Sequence, residues 1–227
     1  MSQDAVFAIV LLSVQVALVA TLVSLPFALL AAKALARPNL FGRSILSALV
    51  HLPLVLPPVV TGYVLLITFG RSGPVGSALA ALGMDISFSW VGAALAAGIM
   101  AFPLFVRPIR LAFEAQDPKL DELAQTLGAS RLKRLLTLTL PLAWPGILAG
   151  AVLAFAKALG EFGATITFVS NIPGETQTLS LAIYSFLQTP SGESVALTLI
   201  AISIALSFAA ILVSEIVLGR IERKRRG

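Results

Sequence analysis

The sequence predicts an all-α polytopic membrane protein with five transmembrane helices, and three observations carry that prediction. First, residues 5–32, 44–70, 86–106, 135–156 and 194–214 contain no Asp, Glu, Lys or Arg, in runs of 21 to 28 residues. A helix of about 20 apolar residues crosses the roughly 30 Å hydrocarbon core of a bilayer. Second, 58% of the 227 residues are hydrophobic and only 12% charged. That is about half the charge of an ordinary soluble domain, too little polar surface to cover five such segments. Third, 14 of the 16 Lys and Arg residues fall into three groups, at 33–43, 107–134 and 220–226. Five spans place all three on one side of the membrane, as cytoplasmic segments require.

Each element follows in order. Span one covers about 5–32 and carries Pro26 near its inner end. The first basic residue is Lys33, so no positive n-region precedes the apolar run. The run is therefore expected to stay as a span and not to be cleaved as a signal peptide. Asn39 and Gly42 occupy a short inner loop. Span two, about 45–69, holds Pro53, Pro57 and Pro58 in the sequence HLPLVLPPVVTGY. Three missing backbone donors predict a break in the helix, tolerated where protein or a water-filled cavity satisfies the freed carbonyls. An outer loop at 70–87 leads to span three, about 88–113, whose inner end carries Arg107 and Arg110.

The segment 114–141 is the most polar long stretch. Asp117-Pro118 reads as a helix N-cap and first helical residue. Leu120, Leu123, Ala124 and Leu127 then fall at i, i+3, i+4 and i+7, an apolar stripe opposite Asp121, Glu122 and Gln125. Gly128 is placed for a left-handed cap and Ser130 for the start of the next helix. Such a short amphipathic helix can lie on lipid or in a partner's groove, and its acidic face favours the protein partner. Span four starts near Leu138 and contains Gly146-x-x-x-Gly150, which suits close packing either within the subunit or at a dimer seam. The following segment, 159–194, is interrupted by Glu161, Glu175 and Glu193 and reads as an external excursion with a short helix near 179–187. Span five is about 195–218.

The basic tail at 220–226 is a topological signal here, not a nucleic-acid footprint, and no nucleic-acid partner is expected. The N-terminus lies outside and the C-terminus in the cytosol. A reporter fused after Gly227 is therefore expected to be cytoplasmic, and one inserted at Gly73 or Gly174 external. Protease protection of both fusions checks this, and a cytosolic Gly174 would overturn five spans.

Composition also limits the chemistry. There is no cysteine and a single histidine, His51, so thiolate sites and multi-His metal centres are excluded. No P-loop sequence is present, so any ATP must be bound by another chain. Neither a Ser/His/Asp set nor paired intramembrane carboxylates support catalysis, and no catalytic residue, cofactor or metal is expected. The absence of an internal repeat argues against inverted-repeat transporters. Lys157 and Glu161, four residues apart, are either a local ion pair or part of a pathway. Five spans suggest a symmetric dimer around any wide passage. Two readings remain at this point: a transporter driven by a separate motor subunit, or a non-transporting membrane assembly protein. Co-purification with an ATPase separates them.

The cytoplasmic segment reads Glu122-Leu123-Ala124, three residues, Gly128, nine residues, then Leu138-x-Leu140-Pro141. It resembles the E-A-A-x3-G-x9-I-x-L-P loop of bacterial binding-protein-dependent ABC importer permeases, with Leu123 and Leu138 as mild departures. The stretches 51–63, 102–112 and 159–184 extend the resemblance over nearly the whole chain, toward the molybdate permeases. The resemblance implies a single permease domain over 1–227 with the type I, MetI-like fold, in the bacterial inner membrane. It implies that 114–141 is the coupling segment, with Leu120, Glu122, Leu123, Ala124, Leu127 and Gly128 meeting the ATPase. It implies as partners two ATP-binding subunits, a periplasmic molybdate-binding protein, a second copy of this chain and the lipid bilayer. The substrate it implies is molybdate, with tungstate a co-substrate and sulfate or another oxyanion the alternative.

A tetrahedral dianion in hydrocarbon needs water and donors beside it. Thr61, Thr165, Thr167, Ser170 and Asn171 can supply donors without forming a tight site. By family analogy the gate maps to Pro57, Pro58, Thr61, Glu161, Phe162, Gly163 and Thr165.

Overall fold

Helix α5 (Trp90–Glu114) is the centre of the molecule, and its sequence explains why. One side is built almost wholly of Gly92, Ala93, Ala96, Ala97, Gly98 and Ala101, all buried. Small side chains let neighbouring backbones come close, which is how helices associate where lipid is as apolar as leucine. Ser89 caps its start, accepting a hydrogen bond from the Gly92 N–H at 3.2 Å. The structure is a computed structural model that describes residues 3–226, with side chains outside 214, 217, 218 and 220–226. The basic cluster expected at 220–226 lies outside the described side chains.

Two long helices flank α5. Helix α1 (Gln3–Leu35) buries Ala17, Ala20, Ala28 and Ala32 and turns Phe7, Leu11, Leu22 and Leu30 outward. This inside-out pattern is what a lipid solvent selects. Its buried hydroxyls are satisfied locally: Ser13 Oγ donates to the Ile9 carbonyl at 2.7 Å and Thr21 Oγ1 to that of Ala17 at 2.8 Å. On the other flank, α7 (Arg131–Arg134), a π-helical stretch at Leu135–Thr139 and α8 (Leu140–Leu159) run on as one rod.

The Gly146-x-x-x-Gly150 pair is used inside the subunit, against α5. A Cβ at Gly146 would sit 2.4 Å from Ala112 Cβ and 2.7 Å from the Pro108 carbonyl oxygen. One at Gly150 would lie 2.8 Å from the Phe105 carbonyl oxygen. Gly146→Ala is accordingly expected to cost about 1–3 kcal/mol through overpacking. Gly219→Ala, where a Cβ meets nothing within 4 Å among the described residues, is the control and is expected to hold or slightly raise stability, since alanine favours a helix over glycine. Thermal unfolding of the purified protein checks both; equal melting would mean that α5 and α8 can separate without penalty.

The second span is broken, as its prolines predict. Helices α2 (Arg43–Val55) and α3 (Pro58–Phe69) meet at 110° across Leu56 and Pro57. Helix α11 (Glu193–Arg226) completes the set. Among the described residues, four helices are long and apolar enough to cross a membrane, and the bent pair adds a fifth if its two halves count as one span. The outer loop holds a helix that periodicity did not reveal, α4 (Pro74–Ala81), and a surface ion pair between Arg71 and Asp85 at 2.6 Å. The Arg71 hydrogen bonds hold the Asp85 carboxyl below its ordinary range. Helices α9 (Gly163–Val169) and α10 (Leu179–Leu187) have 7 and 9 residues, too few to cross a bilayer. The start of α10 is tied back to α1, its Leu179 N–H donating to Ser13 Oγ at 2.7 Å. Among the described residues there is no strand.

Candidate functional site

Two regions bring together the residues singled out above. The first lies where α3 packs on α9, each just after a break in a longer apolar run. Glycine permits this contact. A Cβ at Gly163 would lie 2.7 Å from Pro58 Cβ, and one at Gly62 2.5 Å from the Ala164 carbonyl oxygen. Gly163 and Pro58 therefore touch, while Pro57 sits exposed in the α2–α3 break. Gly62 was not legible as a contact residue, because sequence does not say which helix face meets which.

Glu161 is 2% exposed, and its two carboxylate oxygens have separate partners. Oε1 accepts from the Ala164 N–H at 3.1 Å, capping the first turn of α9, and Oε2 pairs with Lys157 Nζ. Phe162 forms the break itself, its ring centroid 4.9 Å from that of Tyr184 on α10. The hydroxyls differ in what they have left to offer. Thr165 Oγ1 donates to the Phe162 carbonyl at 2.8 Å, and Thr167 Oγ1 to that of Gly163 at 2.9 Å. The Asn171 amide donates to Ser185 Oγ. Thr61 Oγ1 is buried without a partner among the described residues, and Ser170 is exposed.

The second region is helix α6 (Pro118–Thr126) and what anchors it. Asp117 Oδ1 accepts from the Lys119 N–H at 3.0 Å. The far end is closed by two bonds, Ala129 N–H to the Ala124 carbonyl at 3.0 Å and Gly128 N–H to that of Gln125 at 2.9 Å. This paired closure needs a residue in the left-handed region, and Gly128 has φ +80°. The stripe is uncovered: Leu120, Leu123 and Leu127 are 41%, 60% and 86% exposed. Ala124 is half-buried and Glu122 exposed.

Polar contacts hold this helix to the membrane domain. Arg134 reaches Asp121 at 2.9 Å and the Ala129 carbonyl at 3.0 Å, and Gln116 donates to the Thr139 carbonyl at 2.9 Å. Beside them Glu114 joins Arg110 at 2.8 Å and Arg43 at 2.9 Å, and Arg43 also donates to the Leu35 carbonyl. The Glu114 set joins the ends of α1, α2 and α5, while the Arg134 and Gln116 contacts tie α6 and the end of α5 to the start of the rod that continues into α8. The apolar stripe of this polar-mounted helix is left bare.

Residues 24–226 match the family described as the binding-protein-dependent transport system inner membrane component. The chain belongs to this family. It is an inner-membrane transport permease. It is 55% identical over 219 residues to the molybdenum transport system permease protein ModB of Escherichia coli (strain K12), covering 96% of this chain and 95% of that one. Among solved structures, it resembles a bacterial ABC transporter involved in import of the acidic polysaccharide alginate. The TM-score is 0.76 at 18% identity, covering 97% of this chain and 81% of that one. It also resembles the MetNI methionine ABC transporter in an inward facing conformation, with a TM-score of 0.69 at 18% identity, covering 97% and 99%. At that identity the likeness shows the fold, which is the MetI-like importer permease fold expected above.

Proposed function

We propose that this permease is the membrane path of an ATP-driven importer for molybdate, with tungstate as a co-substrate. The 55% identity to the molybdenum permease, spanning 96% of this chain, carries the substrate reading. The partner reading rests on α6. Its bare leucines and the exposed Glu122 form a surface for an ATP-binding subunit, and the Gly128 cap aims the chain back into α7 and α8. Two copies of this chain with two ATP-binding subunits, fed by a periplasmic molybdate-binding protein, make the complete importer. ATP hydrolysis belongs to the separate subunit.

For the gate, the pairing of α3 with α9 supports a moving unit. The glycine contact locks the two short helices together, while the breaks at Leu56–Pro57 and Gly160–Phe162 separate them from α2 and α8. Motion of α6 is passed through the Arg134 contacts and along α7 and α8 to this unit. Thr61, with its unused hydroxyl, and the exposed Ser170 are the donors still free for a passing oxyanion. Weak donors suit a path that must release what it carries.

The test is ATP-dependent uptake of radiolabelled molybdate by the reconstituted permease, ATPase and binding protein. Excess tungstate is expected to abolish uptake, and excess sulfate to leave most of it. Sulfate competing as well as tungstate would instead make this a general oxyanion permease. No uptake of any oxyanion by a fully assembled complex would overturn the transport reading.

A further inference from the structure

A cavity of about 640 Å³ lies beside α6, between the inner end of α1 and the α6–α7 turn, with Leu120 of the stripe at its edge. Its lining carries four cations, Lys33, Arg37, Arg131 and Arg134, against two carboxylates, Asp117 and Asp121. Both carboxylates are already engaged. Asp121 is paired with Arg134, and Asp117 caps α6 through the Lys119 N–H. The side chains of Lys33, Arg37 and Arg131 make no ion pair or hydrogen bond among the described residues. Four cations against two carboxylates leave the cleft two positive charges in excess, and three of its cations have no direct partner.

The walls of the cleft are of a different character. Phe113, Leu135, Leu138 and Leu142 line it on the side of the membrane domain. The cleft also sits at the end of the first apolar run, where Lys33 follows the uncharged residues 5–32. That is headgroup depth on the side that the basic residues mark as cytoplasmic, and the placement rests on that orientation. Basic pockets between spans on the cytoplasmic side suit anionic headgroups.

We propose that this cleft binds a phosphate-bearing anion, with Lys33, Arg37 and Arg131 as its ligands. Two sources offer that chemistry, the headgroup of an inner-leaflet phospholipid and free phosphate, and the apolar walls match the glycerol and upper acyl chain of the lipid. The bound anion bridges α1 to the α6–α7 turn, which the protein's own ion pairs leave unlinked. It stiffens the mounting of the exposed helix and leaves Leu123 and Leu127 of the stripe, which do not line the cleft, free.

The experiment titrates phosphatidylglycerol or phosphatidylcholine into the purified full-length permease and reads bound lipid by native mass spectrometry. Phosphatidylglycerol is expected to bind and phosphatidylcholine to bind far less. Arg37→Gln removes one cation from an exposed side chain, with an expected loss of about five-fold in affinity. The combined variant Lys33→Gln, Arg37→Gln, Arg131→Gln is expected to lose about a hundred-fold on the same scale. Lys119→Gln with Lys133→Gln, exposed cations of the same segment outside the cleft, should bind like the parent. Displacement of the lipid by inorganic phosphate would support a site open to the free anion, and no displacement one that needs the whole lipid. Equal loss in the Lys119/Lys133 variant would reduce the effect to diffuse surface charge and overturn the site. So would undiminished binding by the triple variant, or binding of neither lipid nor phosphate. The readout involves neither ATPase nor molybdate, so it stands or falls apart from the transport reading.

Discussion

Gly128→Val is expected to abolish transport while leaving the permease in the membrane at its normal abundance. The φ of +80° at Gly128 is the cause. A residue with a Cβ loses about 1–2 kcal/mol in the left-handed region, and a β-branched one more. A Cβ at this position meets nothing within 4 Å, so the penalty is in the backbone and not in a clash. The strain opens the two closing bonds at Ala124 and Gln125 and turns α6 away from its mounting. A penalty of about 2 kcal/mol is roughly thirty-fold in a docking equilibrium. Gly128→Asn separates this account from simple bulk, because asparagine enters the left-handed region at little cost. Co-purification of the ATP-binding subunit should therefore fall in the order Gly, Asn, Ala, Val. If asparagine were as damaging as valine, size at the interface would be the cause and not the turn.

Glu161→Ala is expected to destabilise the whole outer half of the molecule. The carboxylate is buried, and its removal leaves Lys157 without its partner and the Ala164 N–H without an acceptor. Breaking a buried pair in this way costs about 3–5 kcal/mol. Lys157 is 31% exposed, so water recovers part of that and the lower end applies. A loss of about 3 kcal/mol corresponds to a melting point roughly 6–12 °C lower. Glu161→Gln keeps an acceptor for Ala164 and should lose less, and Lys157→Met with Glu161→Gln should recover part of the loss by removing the stranded cation. Thermal unfolding in detergent measures all three. An Ala variant that melts with the parent would mean that the pair contributes nothing.

These two residues also show how far the sequence could be read. Gly128 was legible in role because a cap is local: an apolar stripe at helical spacing, a glycine after it and a serine two residues on can have few other meanings. Glu161 and Lys157 were legible as neighbours, four apart on a helix, but not as a buried pair. Burial depends on which helices pack there, and even the nearby approach of α3 to α9 hangs on Gly62 and Gly163. The same holds for the hydroxyls. Thr61 and Thr165 look alike in sequence, yet one is spent on its own helix turn and the other is not.

Solvent explains where the boundary falls. The spans, their number and the break at Pro57–Pro58 follow from transfer of side chains to hydrocarbon and from missing backbone donors, and both are properties of a few consecutive residues. The choice of α5 as the partner of Gly146, the approach of α3 to α9, and the ion pair between Arg43 and Glu114 follow from contacts between segments far apart in the chain. In a bilayer every outward face is apolar, so hydrophobic pattern cannot tell a lipid-facing side from a packed one. Close fit between small residues makes that distinction, and fit exists only once the helices are side by side.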